Sequence, residues 1–238
     1  MLTGCPLHRA TLVVGAAMLG ATMLASCSTA SRVASTDGLG SPAETARRIC
    51  AVDEKSRVKG VDGRVWMKAR SKEASGQFPA NVQARADSGL KLEVTHLMGA
   101  RAALIEIRGE DFKVETPDQG SVAKKARSWG GIPLEWAGAL FMNRVPCPEL
   151  SAPGLSWSLG PEGVLEGRSQ DGAEIWSYRI AARAGFSFIE KVSLRRRGQA
   201  PFEMKREDPD PVDGWARRWE IKSGVGEVKV RWRDRKTL

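Results

Sequence analysis

The chain has 238 residues, with 37 Lys and Arg against 28 Asp and Glu, a formal net charge of +9 and 42% hydrophobic residues. That composition supports a folded core rather than a charged disordered tract, and the length suits one domain. Two histidines and four cysteines, with no Gly-x-Ser-x-Gly, phosphate loop or Cys-x-x-Cys spacing, exclude His-rich metal sites and argue against an enzyme.

In chain order, Arg9 and the initiating amine precede an uncharged run from Leu12 to Ala25. The run falls short of the roughly 20 apolar residues that a spanning helix needs, and reads as the apolar part of an export signal. It ends in Leu24-Ala25-Ser26-Cys27, which resembles the lipobox of bacterial lipoproteins. That resemblance implies cleavage before Cys27, so that residues 1–26 are a signal peptide and Cys27 carries a covalent N-acyl diacylglycerol. Each buried methylene adds about 0.8 kcal/mol, so several chains hold the protein firmly on a bilayer. The alternative is a buried helix of a cytosolic protein. Ser28 after the cysteine implies, by the sorting habit of enterobacterial lipoproteins, the outer membrane rather than retention at the inner one.

Removing residues 1–26 takes Arg9 and no acidic residue, and leaves His96 as the sole histidine. Ser31–Ser41 is small, polar and Gly-containing, so residues 27–41 read as a flexible tether between lipid and fold. Cys50 and Cys147 then remain in a compartment that permits disulfides. They form either one bridge closing a long loop or two separate buried thiols.

Ser41-Pro42-Ala43-Glu44 has the form of a capping box, predicting a helix to about Lys55 with Ala43, Ala46, Ile49 and Cys50 on its inner face. From Val58 the period changes to two. Val61, Val65 and Met67 alternate with Arg64, Trp66 and Lys68, and the pattern continues through Ala80–Ala86, Leu90–Val94 and Ala103–Ile107. Asp87-Ser88-Gly89 and Arg108-Gly109-Glu110 supply the turns. A helical interruption is predicted next, first over Val122–Trp129 and then from Pro133 to about Asn143. Short strands resume at 155–159, 164–168, 173–181, 186–195, 202–205, 215–221 and 227–233. In the last of these Val228, Val230 and Trp232 face inward. The fold class is therefore α+β, an antiparallel sheet interrupted by central helices.

The segment from Leu92 to Pro146 carries Thr95-His96-Leu97-Met98-Gly99 on a loop between strands and Gly131-Ile132-Pro133-Leu134 at a helix start. With the lipobox and the final alternating strand, it resembles the LolA/LolB lipoprotein-carrier superfamily, most of all the outer-membrane receptor LolB. Residues 42–238 would be one domain of that kind. The resemblance implies a strongly curved antiparallel sheet, an open half-barrel, with helices covering its concave face. An apolar cavity between them would take the acyl chains of other lipoproteins. Pro133, Leu134, Trp136, Leu140 and Phe141 would form the cavity-covering helix, and Leu97, Met98 and Gly99 the loop that meets membrane or acyl chain. The loop departs from the receptor's pattern: Leu97 stands at its proline position, and Met98 replaces an exposed leucine. A filled core has the same sequence pattern as a container, and Leu97 and Met98 could equally fold back on the sheet edge.

Lys191–Leu238 holds 14 Lys and Arg against 8 Asp and Glu. Arg195–Arg197 and Arg231, Arg233, Arg235 and Lys236 read either as a solvated strand face or as a surface for anionic headgroups. Glu106, Glu110 and Asp111 are close in sequence, but alternation sends Glu106 outward and puts the others at a turn. The expected protein is a monomeric, cofactor-free, metal-free outer-membrane lipoprotein on the periplasmic side. Its partners would be outer-membrane lipids, lipidated cargo and a LolA-like periplasmic carrier, without nucleic acid. The alternative function is an envelope scaffold on the same fold that contacts lipid, peptidoglycan or a secretion component.

Overall fold

The computed structural model describes residues 32–33, 40–50, 58–71, 75–118, 120–125, 128–129, 132–149, 154–183 and 186–238. The lipobox with Cys27, residues 51–55 of the expected first helix, and Gly130-Gly131 lie outside them. Within the stretch expected as a tether, Arg32–Val33 forms β1. Helix α1 (Pro42–Cys50) begins as its sequence predicts. The Ser41 carbonyl accepts from the Thr45 N–H at 2.9 Å, and the Ser41 hydroxyl accepts from the Glu44 N–H at 3.2 Å. Its buried residues are Thr45 and Ala46, with Ile49 and Cys50 half-buried; Ala43, expected inside, is exposed. The helix rests on the sheet by a stripe rotated one position from the one predicted.

Alternation then builds the sheet. β2 (Gly60–Ser71), β3 (Ser75–Arg85), β4 (Gly89–Thr95), β5 (Arg101–Arg108) and β6 (Asp111–Thr116) pair in sequence order. Val61, Val65, Met67, Val82, Leu92 and Ile107 are all buried on one face. The helix expected over Val122–Trp129 is instead β7 (Gly120–Lys125) followed by β8 (Ser128–Trp129). Gly120, with φ of +68°, turns the chain so that Val122 stands opposite Val114 on β6. So short a run cannot repay helix nucleation, whereas a hairpin gives it a ready partner. β8 pairs with β9 (Ile132–Pro133), and α2 follows at Leu134–Phe141.

The second half holds β10 (Leu155–Leu159), β11 (Val164–Ser169), β12 (Glu174–Arg183), β13 (Phe186–Arg196), β14 (Phe202–Pro209), β15 (Ala216–Ser223) and β16 (Gly226–Thr237). The sheet order is β10-β11-β12-β13-β14-β15-β16-β2-β3-β4-β5-β6-β7, every neighbour antiparallel, with β1 added to β12. The C-terminal β16 closes on β2 from Gly226 opposite Ser71 to Thr237 opposite Val61, with a bulge at Trp232/Asp234. β7 and β10 are the two ends of this order and do not pair with each other, so the sheet is open.

The connection from β7 to β10 therefore joins the two edges of the sheet, and α2 lies on that path. It contacts β3, β4 and β5. Its aromatic side chains also meet the other half: Trp136 packs edge-on against Trp176 and Phe202 at 5.9 and 5.1 Å, and Phe141 against Trp219 and Trp232 at 5.2 and 6.2 Å. Such T-shaped pairs add to the burial that drives the packing.

Gly138 of α2 faces Gly89 at the β3–β4 turn, and of the two only Gly89 has no room for a side chain. A Cβ on Gly138 would lie 3.7 Å from the Gly89 carbonyl carbon, and a Cβ on Gly89 would lie 2.1 Å from the Ile107 oxygen. Gly89 also has φ of +86°, which L residues rarely adopt. Gly89→Ala should therefore cost about 2–3 kcal/mol in urea unfolding, the strain and the clash acting together. An unchanged midpoint would mean that the turn relaxes freely away from Ile107.

Candidate functional site

The site residues expected from sequence fall in three places. Leu97, Met98 and Gly99 sit on the turn between β4 and β5. The turn is closed by the His96 N–H donating to the Ala100 carbonyl at 2.8 Å and the Gly99 N–H donating to the His96 carbonyl at 2.9 Å. Gly99 takes φ of +88°. Leu97 is 79% exposed and Met98 95% exposed, so neither side chain folds back on the sheet edge. A hydrogen-bonded turn thus presents two adjacent apolar side chains to the surroundings, an arrangement with a hydration cost that an apolar partner would remove.

The residues expected on a covering helix lie on or beside α2. Leu134, Leu140 and Phe141 are buried, and Pro133 and Trp136 are half-buried. The rings that meet Trp136 and Phe141 occupy the space between this helix and β12–β16. Cys50 and Cys147 are joined, with S–S of 2.10 Å and Cα–Cα of 5.7 Å, which ties the end of α1 to the segment after α2. That segment is held again where the Tyr178 hydroxyl donates to the Pro146 carbonyl at 3.0 Å. Burial pushes the Tyr178 phenol well above its ordinary range, so it stays a neutral donor.

An open groove of about 590 Å³ lies where α1, the end of α2, the β12–β13 hairpin and the β14–β15 connection meet. Its apolar lining is Ile49, Ile180, Phe188, Ile189 and Val212, and its polar lining includes Thr45, Asn143, Ser187 and Arg206. None of Leu97, Met98 or Gly99 lines it, so turn and groove are separate features.

Asn143 organises the inner wall. It sits just past α2 with φ of +61°, a left-handed conformation that Asn tolerates better than most residues. Its side-chain oxygen accepts from the Ala216 N–H at 3.0 Å and from Arg206, which also bonds the Asn143 carbonyl at 3.4 Å. Arg206 is 5% exposed, and burial lowers its pKa to about 10, so it remains charged at neutral pH. Sequence reading stopped the strand at Lys205 and missed this residue. The signal was present: Phe202, Met204 and Arg206 share one parity, and the register sets Met204 opposite Ile221 and Arg206 opposite Trp219.

On the other face, a hollow of about 570 Å³ is lined by Trp66, Lys68, Gln77, Arg218, Lys229 and Arg231, among others. Much of the late positive charge is tied down. Arg235 donates to both oxygens of Asp213 at 2.8 Å and lies 4.6 Å above the Trp215 ring, Arg233 lies over Trp66, and Arg196 pairs with Glu174 at 3.1 Å. Glu106 points outward between Lys91 and Lys113. Among the described residues, no group of three or more His, Cys, Asp or Glu is placed to hold a metal ion, and no helix is long and apolar enough to cross a membrane.

No protein-family model and no curated protein sequence matches the chain. Solved structures do. A putative outer membrane lipoprotein-sorting protein domain from Vibrio parahaemolyticus is 13% identical with a TM-score of 0.52, covering 82% of this chain and 92% of that one. A DUF1329 family protein from Desulfovibrio piger is 9% identical with a TM-score of 0.52, covering 82% and 91%. A LolA superfamily protein from Nitrosomonas europaea is 11% identical with a TM-score of 0.45, covering 83% and 92%. At these identities the likeness is one of fold alone: the chain shares the fold of the lipoprotein-sorting domain and of the DUF1329 protein.

Proposed function

We propose that this chain is a lipoprotein anchored through Cys27 to the periplasmic side of the outer membrane. There it binds the acyl chains of other lipoproteins and assists their insertion into that membrane. In this reading the open sheet is curved, α1 and α2 cover its concave face, and a LolA-like carrier delivers the cargo. The observation that carries it is the exposed Leu97-Met98 pair, held on a hydrogen-bonded turn of a fold read as LolA/LolB-like. A turn that raises two apolar side chains into water suits a surface whose partner is hydrocarbon. The groove beside α1 supplies apolar lining outside the ring-filled space under α2. Binding and hand-over need only apolar contact, so no catalytic group is required.

The test mixes a soluble Cys27→Ala protein with an acylated lipoprotein held by its periplasmic carrier and follows the cargo. Cargo should move to the new protein. Met98→Glu should slow that movement at least tenfold, while the unfolding free energy stays within about 0.5 kcal/mol of the parent because the side chain touches little. Equal transfer by the two proteins would remove the turn from the mechanism.

A second reading, an envelope scaffold, is favoured by the outer-face hollow, where Trp66 lies among Lys68, Arg218 and Arg231, with Lys229 paired to Glu220, and with Glu207 also in the lining. Cargo left on the carrier, together with cosedimentation of the protein with purified peptidoglycan, would select it.

A further inference from the structure

Among the described residues, Arg206 is a buried charge of the groove that no carboxylate pairs. Arg206 donates from Nη1 to the Ile189 carbonyl at 3.2 Å and from Nη2 to the two oxygens of Asn143. All three acceptors are neutral. A guanidinium has five N–H donors, so two are left over. No carboxylate lies within ion-pair distance of Arg206 among the described residues. Asp213, which shares the groove's lining, is committed to Arg235 through both oxygens, and Glu44 on α1 is committed to Arg48 at 2.5 Å.

A cation taken out of water and given only neutral acceptors is held at a cost that an anion beside it would relieve. Arginine is also the side chain best shaped for a planar carboxylate or a phosphate, which it can engage with two parallel N–H groups. Beside it runs an apolar part of the lining, from Ile49, Ile180, Phe188 and Ile189 out to Val212, which is 92% exposed at the rim, while Arg48 and Asp213 add charge of both signs elsewhere in the lining. A charged head and a hydrocarbon tail together match this division; a free inorganic ion matches only half of it.

We propose that the groove binds an anionic amphiphile, with its oxyanion head on Arg206 and its tail along Ile180, Phe188, Ile189 and Val212. This rests on the groove being a lipid-binding site, as read above, and adds that the site selects its ligand by charge. A phosphate or carboxylate lipid would be held, and a neutral acyl chain of the same length would be held less well. Arg206 would then have two connected roles, since the same guanidinium fixes Asn143 at the end of α2. A bound head group would share donors with the residue that positions the helix.

The experiment uses the full chain in nanodiscs of phosphatidylcholine, titrated calorimetrically against empty nanodiscs. The probes are octyl phosphate, inorganic phosphate and octyl glucoside. Octyl phosphate should bind saturably, at least tenfold more tightly than either of the others. Arg206→Met should remove that preference. Because that variant alters the core, Ser187→Glu is paired with it: Ser187 is an exposed residue of the lining, and a carboxylate there should weaken octyl phosphate at least tenfold without touching the fold. Inorganic phosphate binding as tightly as octyl phosphate would overturn the amphiphile in favour of a simple anion site. Octyl glucoside binding as tightly would overturn charge selection, yet leave acyl-chain binding standing. Binding of no probe would overturn the proposal outright, and the cargo-transfer measurement decides the wider reading separately.

Discussion

A protein in which Cys50 and Cys147 are both replaced by Ala is expected to lose about 4–5 kcal/mol of unfolding free energy. The bridge spans a sequence separation of 97 residues, and the entropy it removes from the unfolded chain grows with the loop it closes. Its placement adds a native-state reason. One end lies at the last residue of α1 and the other beside Pro146, whose carbonyl is bonded to Tyr178. Arg144, in the same segment, donates to the Val58 carbonyl at 3.3 Å. The bridge thus joins two walls of the groove, α1 with Ile49 and the end of α2 with Asn143. Urea titration of oxidised, reduced and double-Ala proteins measures the loss. The reduced and double-Ala proteins should coincide, and their m-value should rise because the uncrosslinked chain unfolds to a more open state. A loss below about 1.5 kcal/mol would mean that α1 has already separated from the body before the main transition.

The strands were legible because each has one buried face. Val228, Val230 and Trp232 against Lys229, Arg231 and Arg233 is a period of two that survives any uncertainty about partners, and β16 carries it in full. What alternation does not specify is which strands pair. The closure of β16 on β2, separated by most of the chain, follows from sheet order and has no local sign in either strand. The misread stretch, Val122–Trp129, fails for a related reason. Residues with mixed propensity took their structure from the neighbouring β6 through the turn at Gly120. Ala43 was misplaced for a smaller one, since a helix of nine residues leaves its inner face fixed only to within one position.

The candidate site was legible where it is local and hidden where it is assembled. The turn can be read from five consecutive residues, Thr95–Gly99, but whether Leu97 and Met98 stand out or fold back is decided only by the structure, where they are exposed. The groove draws on α1, the end of α2, β12, β13, β14 and the connection before β15, so no window of sequence contains it. Arg206 was hidden by its type. A charged residue late in a basic segment reads as surface, and only strand parity with Phe202 and Met204 turns it inward. In the same region Arg195, Arg197, Arg231 and Lys236 are exposed, as a solvated strand face requires, while Arg196 and Arg235 meet carboxylates within the fold.

Phe141→Ala should cost about 3–5 kcal/mol, the range for removing a fully enclosed aromatic ring. Phe141 has no exposed surface and stands edge-on to Trp219 and Trp232, which belong to neighbouring strands at the centre of the sheet order. The two indole N–H groups are themselves buried without a hydrogen-bond partner. They contribute apolar area and ring contact there rather than polar pairing, and deleting the phenyl ring leaves both with less of each. Phe141→Leu, which keeps most of the volume, should lose less than half as much. The measurement bears on function as well as stability. If α2 wedges the two halves of an open sheet together, both substitutions shift the urea midpoint in proportion to the volume removed, and near-ultraviolet circular dichroism changes as the Trp rings lose their neighbour. If α2 is a cover that lifts to admit acyl chains beneath it, Phe141 contributes little to the ground state. Phe141→Ala would then cost less than about 1 kcal/mol and cargo uptake would rise. A full-sized loss would place acyl binding outside the ring-filled space under α2 and leave the groove beside α1 as the place where a chain can enter.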